Sequence, residues 1–163
     1  MATKTYKIFE NREVKLPWNW SRDGISLAKN ITWDEKNTTI VSAKLRFTVK
    51  PSRGYVKSWT ELNYVEIGRF TWSLLDDSLR SDEFDIIGVI VNGNNYFKVI
   101  VAKEFANIDA VNFMVSEEVV ITYEGSEPEV TPDWKKYLEY GAVGIGVAGG
   151  VITVAGMLGE KKK

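Results

Sequence analysis

Residues 42–50 read SAKLRFTVK, and this stretch gives the clearest signal of a fold in the chain. Apolar residues occupy every second position from Ala43 to Val49, while lysine, arginine and threonine occupy the positions between them. A period of two places the apolar side chains on one face of a β-strand. The stretch therefore predicts a strand with one face in a hydrophobic core and the other in water.

Similar short apolar segments continue as far as residue 123. Turn-forming pairs separate them, and Asp23-Gly24 and Asn92-Gly93 supply the positive φ that tight hairpin turns require. Residues 84–91 form a more continuous apolar run, which predicts a strand covered on both faces. No amphipathic helical period precedes residue 131, so this part of the chain is predicted to be an all-β sandwich or barrel. The remaining predicted strands are residues 14–20, 96–103, 111–115 and 119–123.

Three of these segments resemble parts of a known fold. They are SAKLRFTV (42–49), FDIIGVIVNGNNYFKVIV (84–101) and VVITYEG (119–125). Together they resemble jelly-roll β-sandwiches of the galactose-binding-like kind, which are also common in viral capsid and spike proteins. The resemblance implies a jelly-roll-like sandwich and carries no ligand-binding motif to any residue. Such sandwiches serve both sugar binding and architecture, so the fold does not choose between them.

Histidine and cysteine are both absent from the chain, which limits its chemistry. Their absence excludes disulfides, thiolate metal sites, Cys nucleophiles, His-ligated zinc sites and Ser-His-Asp triads. The net charge of −1 gives the folded domain no basic field that would attract a nucleic acid. We therefore expect a protein that is not an enzyme and that has no resident cofactor.

A long uncharged segment lies near the C-terminus, where residues 141–159 read GAVGIGVAGGVITVAGMLG. A helix of this length would be about 28 Å long, close to the roughly 30 Å hydrocarbon core of a bilayer. The segment predicts a single C-terminal transmembrane α-helix. A tail buried within an oligomer, a disordered tail and a fusion peptide are the alternatives. Flanking aromatic and lysine residues are expected at the membrane interface. They are Trp134, Tyr137, Tyr140, Lys161, Lys162 and Lys163.

The composition changes at Glu124, where the sequence EGSEPEVTPDWKK begins. Two prolines and several acidic residues predict a stalk outside the packed domain. Thr131 as N-cap and Pro132 at the first helical position predict where the terminal helix begins. The predicted organisation is a β-sandwich domain at 1–124, an acidic stalk at 125–131, the membrane helix at 132–160 and a lysine tail at 161–163.

Small residues recur on one face of the predicted membrane helix. They are Ala142, Gly146, Gly149 and Gly150. Such a stripe lets two helix backbones approach closely, which predicts association with another membrane helix and an oligomeric protein. The alternative is a glycine-rich span with no packing role.

Acidic residues cluster between residues 76 and 85. They are Asp76, Asp77, Asp82, Glu83 and Asp85. Carboxylate oxygens close together in sequence suit a Ca²⁺ ion, so these five residues are the candidate metal ligands. Their spacing does not match an EF-hand. A solvated acidic turn and catalysis by a pair of these carboxylates are the alternatives.

Five of the six tryptophans lie in the predicted β domain. They are Trp18, Trp20, Trp33, Trp59 and Trp72. Such residues can fill a core, anchor a protein interface or stack on sugar rings, and the core is the first expectation.

Two rules on topology conflict for an ordinary cellular protein. The N-terminus carries no secretory signal, so the β domain is expected on the side of synthesis and the lysine tail across the membrane. Positive residues normally stay on the cytoplasmic side instead. A virion with an internal membrane removes the conflict, because the domain then faces outward and the lysines face the genome. Lysines that act only as a stop-transfer anchor are the alternative.

The predicted function is that of a membrane-anchored structural protein that links an outer protein layer to a membrane, as a minor capsid or virion surface protein would. Its predicted partners are the lipid bilayer, other structural proteins of the same assembly and, through the lysine tail only, the genome. The alternative is a tail-anchored module on a cell membrane that recognises a glycan or a protein. An exposed aromatic row would favour the glycan, and a broad apolar lateral surface would favour assembly.

Overall fold

The computed structural model describes residues 1–17, 24–104 and 109–132. Within these ranges the regular structure consists of β-strands, and we find no helix with the length and hydrophobicity that crossing a membrane requires. The predicted membrane segment lies outside the described residues, apart from its first residue, Pro132. The strands are β1 (Ala2–Leu16), β2 (Ile25–Asp34), β3 (Thr38–Pro51), β4 (Val56–Leu62), β5 (Val65–Trp72), β6 (Arg80–Asp85), β7 (Gly93–Lys103), β8 (Val111–Gly125) and β9 (Glu129–Pro132).

The strands form two antiparallel sheets. The first sheet has the order β1-β8-β3-β6 and the second has the order β5-β4-β7-β2-β9. Four of the pairings are nested, since β1 pairs with β8, β2 with β7, β3 with β6 and β4 with β5. This is one long hairpin rolled up into two sheets, which is the arrangement of an eight-stranded jelly roll. The predicted all-β sandwich is confirmed.

The core lies between the two sheets and contains the alternating residues of β3. Ala43, Leu45, Phe47 and Val49 are all fully buried, as the sequence pattern predicts. Phe47 stacks on Phe70 of the opposite sheet, with ring centroids 5.2 Å apart. The predicted strand at 96–103 is also confirmed, as part of β7.

The apolar run at 84–91 is not the covered strand that the sequence predicts. Strand β6 ends at Asp85, and the residues after it form a turn in which Val89 and Ile90 both donate to the carbonyl of Ile86, at 2.9 Å. Ile86 and Ile90 are buried in the core, while Ile87 and Val91 are exposed. Beyond Asp85 the apolar residues close one end of the sandwich and form no strand. A continuous apolar run in the sequence does not distinguish a covered strand from such a turn.

The two ends of the sandwich carry different loops. Strands β1, β3, β5 and β7 finish at one end, which we call the β5–β6 end after the loop between those two strands. Strands β2, β4, β6 and β8 finish at the other end, which we call the β4–β5 end.

The segment predicted as a stalk belongs to the domain. Strand β9 pairs with the edge of β2, from Asp34 opposite Glu129 to Ile31 opposite Pro132. Val130 packs partly against the core. Thr131 and Pro132 are thus strand residues and not the start of a helix, because the free edge of β2 offers backbone partners to this segment.

The residues before β9 also contact the domain. The carboxylate of Glu127 lies 2.8 Å from the ammonium of Lys4 and accepts a hydrogen bond from Tyr6. Ser126 donates its backbone N–H to the carbonyl of Asn37, at 3.0 Å. The sandwich therefore reaches at least to Pro132, beyond the predicted boundary at residue 124.

Candidate functional site

Four of the five candidate calcium ligands, Asp76, Asp82, Glu83 and Asp85, have partners of their own. Asp82 and Asp85 each accept a backbone N–H from a residue close by, at 2.8 and 3.0 Å. Glu83 pairs with Arg46 at 3.0 Å and with Lys44 at 3.8 Å. Asp76 and Asp77 lie in the loop before β6. Within residues 1–17, 24–104 and 109–132, no three acidic side chains lie close enough together to hold a metal ion.

The loop before β6 exposes three leucines at the β5–β6 end. We call residues 73–79 the leucine loop. Leu74 is 56% exposed, Leu75 is 92% exposed and Leu79 is 60% exposed. Large apolar side chains at these exposures are costly in water, so a group of them on one short loop marks a candidate contact surface.

Hydrogen bonds to Asp76 hold the leucine loop in one shape. One oxygen of Asp76 accepts both the hydroxyl of Ser78, at 2.6 Å, and its backbone N–H, at 3.0 Å. The other oxygen accepts a guanidinium N–H of Arg80, also at 2.6 Å. The hydrogen bonds from Ser78 are the main reason why the pKa of Asp76 falls to about 2, and the hydrogen bond from Arg80 lowers it further. The loop is therefore built around an ionised carboxylate at neutral pH.

Two further elements support the loop from behind. The indole N–H of Trp72, whose side chain is buried, donates to the carbonyl of Ser78 at 2.7 Å. Tyr55 donates its backbone N–H to the carbonyl of Ser73, at 3.2 Å. Gly54 allows this close approach, because a Cβ atom there would lie only 1.9 Å from the same carbonyl oxygen. The backbone that carries the exposed leucines thus packs against and hydrogen-bonds to the domain.

Glu117 is a fully buried titratable group in the described part of the sandwich. It lies on β8 between Val115 and Val119, on the face that points into the core, and it is 0% exposed. One carboxyl oxygen accepts a hydrogen bond from the hydroxyl of Thr60 on β4, which joins the two sheets. The other oxygen has no hydrogen-bond partner among the described residues.

Burial raises the pKa of Glu117 to about 8, and the bond from Thr60 opposes the rise only in part. A charged carboxylate at this position would lose its hydration without gaining a cation, so the neutral acid is favoured. The local sequence does not single out this residue, because Ser116, Glu117 and Glu118 resemble a break between two strands. The alternation of β8 carries the signal, since Val115, Glu117 and Val119 share one face.

The tryptophans of the described region divide between core and surface. Trp33 and Trp72 are buried, as expected for core residues. Trp59 is half-buried on the outer face, and the guanidinium of Arg69 lies 4.4 Å from its ring centroid. These three residues form no exposed aromatic row. Trp18, Trp20 and Trp134 lie outside the described residues.

The predicted membrane residues lie in the same undescribed part of the chain. The helix-packing stripe and the membrane-interface set therefore stay predictions. They are Ala142, Gly146, Gly149, Gly150, Trp134, Tyr137, Tyr140, Lys161, Lys162 and Lys163.

Comparison with known proteins agrees with the jelly-roll class that the strand order defines. No family model and no curated relative matches the chain. Its fold is similar to a structure of the Gt strain of infectious bursal disease virus, with 10% identity and a TM-score of 0.50 over 95% of this chain and 47% of the other. The VP2 subviral particle of the same virus gives 9% identity and a TM-score of 0.49, over 98% of this chain and 48% of VP2.

The chain spans about half the length of these viral chains. The identity is low, so the likeness concerns the fold alone. At that level the resemblance to viral jelly rolls is confirmed.

Proposed function

We propose that this protein is a structural component of a virion, in which the jelly-roll domain is tied to a membrane by the C-terminal segment. The proposal rests on one observation, which is that a jelly-roll domain and a long uncharged segment occur in the same chain. A sandwich with the fold of a viral capsid protein is followed, after residue 132, by the uncharged run at 141–159. Capsid jelly rolls serve architecture, and an uncharged run of this length suits a bilayer.

The proposed arrangement gives each part of the chain a role. The domain contacts an outer protein layer, and the small-residue stripe that contains Gly146 and Gly150 packs against another membrane helix. The lysine tail at 161–163 faces the genome compartment, where a polyanion attracts it.

Glycan recognition, the alternative function, has less support. It would use aromatic rings that are free to stack on sugars. The buried Trp33 and Trp72 are not accessible to a ligand, and Arg69 already lies over the ring of Trp59. Tyr64 is 80% exposed, and its ring already stacks on that of Tyr96, with the ring centroids 5.1 Å apart.

Vesicle flotation tests the membrane anchor. We expect the full chain, reconstituted from detergent, to float with lipid vesicles and to stay with them after an alkaline wash, because the apolar run inserts into the hydrocarbon. A matched chain that ends at Pro132 should remain at the bottom of the gradient. Release of the full chain by the alkaline wash would contradict membrane insertion.

A further inference from the structure

We infer that the leucine loop is a second membrane contact, which seats the β5–β6 end of the domain on the bilayer that holds the C-terminal segment. The inference rests on the proposed function, because it takes the membrane anchor as given. It adds an orientation of the domain and a lipid-binding surface formed by Leu74, Leu75 and Leu79.

The direction of β9 is the first argument. Along β9 the partners on β2 run from Asp34 back to Ile31, so the chain at Pro132 is heading toward Ile25. Ile25 pairs with Val101 of β7, near the end of the sheet where Trp72 leads into the leucine loop. The chain therefore leaves the described domain in the direction of the β5–β6 end.

The length of chain before the apolar run is the second argument. From Ile31 to Ile25 the strand covers six residues, or about 20 Å. Residues 133–140 separate Pro132 from the run, and eight residues reach at most about 26–29 Å. The run can thus begin at the level of the leucine loop, so that a bilayer holding it lies against that end of the domain.

The build of the loop is the third argument. Its leucines are exposed, and of its two aspartates Asp76 accepts hydrogen bonds from Ser78 and Arg80, while Asp77 is exposed. Strands β5 and β9 lie at opposite edges of the second sheet, four strand spacings or about 19 Å apart. A contact at the loop and an anchor beyond β9 would hold the domain at two separate points and so prevent it from tilting.

Single-cysteine labelling tests this orientation, because the natural chain contains no cysteine. Leu75→Cys places an environment-sensitive fluorophore at the tip of the leucine loop. Tyr64→Cys is the matched control, since Tyr64 is 80% exposed in the β4–β5 turn at the opposite end. Both full-length variants are reconstituted into phosphatidylcholine vesicles with and without a nitroxide-labelled lipid, and flotation of each is measured in parallel. Both positions are exposed, so neither label should prevent folding.

We expect the label at position 75 to shift its emission to the blue and to be quenched by the nitroxide lipid, and the label at 64 to show neither effect. Flotation with no quenching at 75 would overturn the inference and leave the membrane anchor intact. Equal quenching at both positions would overturn the orientation. A blue shift at 75 without quenching would instead assign the loop to a contact between protein chains. Loss of flotation would overturn the proposed function and the inference together.

Discussion

Replacing Glu117 with glutamine is expected to remove a pH dependence from the stability of the sandwich. In the native state burial raises the pKa of Glu117 from 4.5 to about 8. Between these values the native state holds a proton that the unfolded chain has released. Glu117 therefore contributes stability that is fully present below about pH 4.5 and is lost as the pH rises to about 8, at roughly 1.4 kcal/mol per pH unit.

The measurement compares the free energy of unfolding of wild type and Glu117→Gln from about pH 5 to about pH 9. Glutamine stays neutral, so the variant should gain stability relative to wild type by on the order of 4 kcal/mol across this range. Glu118→Gln is the matched control, because Glu118 is the next residue and pairs with Arg46 on the outer face of the sheet, at 3.2 Å. It should keep the wild-type slope. Parallel curves for wild type and Glu117→Gln would contradict a buried neutral carboxyl.

Ending the chain at Pro132 is expected to give a soluble, folded domain, and ending it at Glu124 a much less stable one. The longer form keeps β9, the buried Pro128 and the pair between Lys4 and Glu127. The shorter form loses these contacts and leaves the edge of β2 unpaired. We expect it to lose on the order of 3 kcal/mol of unfolding free energy, mainly from apolar burial and edge hydrogen bonds.

Chemical denaturation followed by circular dichroism measures this difference. A chain that ends at Pro132 and carries Glu129→Gln is the matched control, since Glu129 is exposed on β9 and its change should have little effect. Equal stability of the two lengths would show that β9 adds nothing to the domain and would restore the stalk boundary. Aggregation of the longer form without a β-type spectrum would show that the core needs the residues beyond 132.

The strands that could be predicted from the sequence are those with one face in the core and the other exposed to solvent. In β3 every second side chain from Ala43 to Val49 is apolar, and these four side chains are fully buried, because the strand lies between the core and the solvent. The apolar run at 84–91 carries no such alternation. It fills the end of the core as a turn, and only the position of the neighbouring strands decides that outcome.

Strand β9 and the buried Glu117 could not be predicted from the sequence, because both depend on contacts with residues distant in the chain. Strand β9 is four residues long and contains glutamate and proline, so its local pattern resembles a linker. Its conformation comes from the free edge of β2, which a local pattern does not reveal. The local sequence suggests that Glu117 is a surface charge. Its burial follows only from β8 being one continuous strand, with Thr60 of the other sheet opposite Glu117.

Protease protection in purified particles tests whether the jelly-roll domain is tied to the outer face of an internal membrane. The particles are stripped of any outer protein layer and treated with trypsin before and after detergent opens the membrane, and the peptides are read by mass spectrometry. We expect cleavage at Lys36, which is exposed in the β2–β3 turn, while Lys161, Lys162 and Lys163 stay uncut until detergent is added. Cleavage after Lys161 in sealed particles, or absence of the protein from the membrane fraction, would contradict a domain tied to the outer face of an internal membrane.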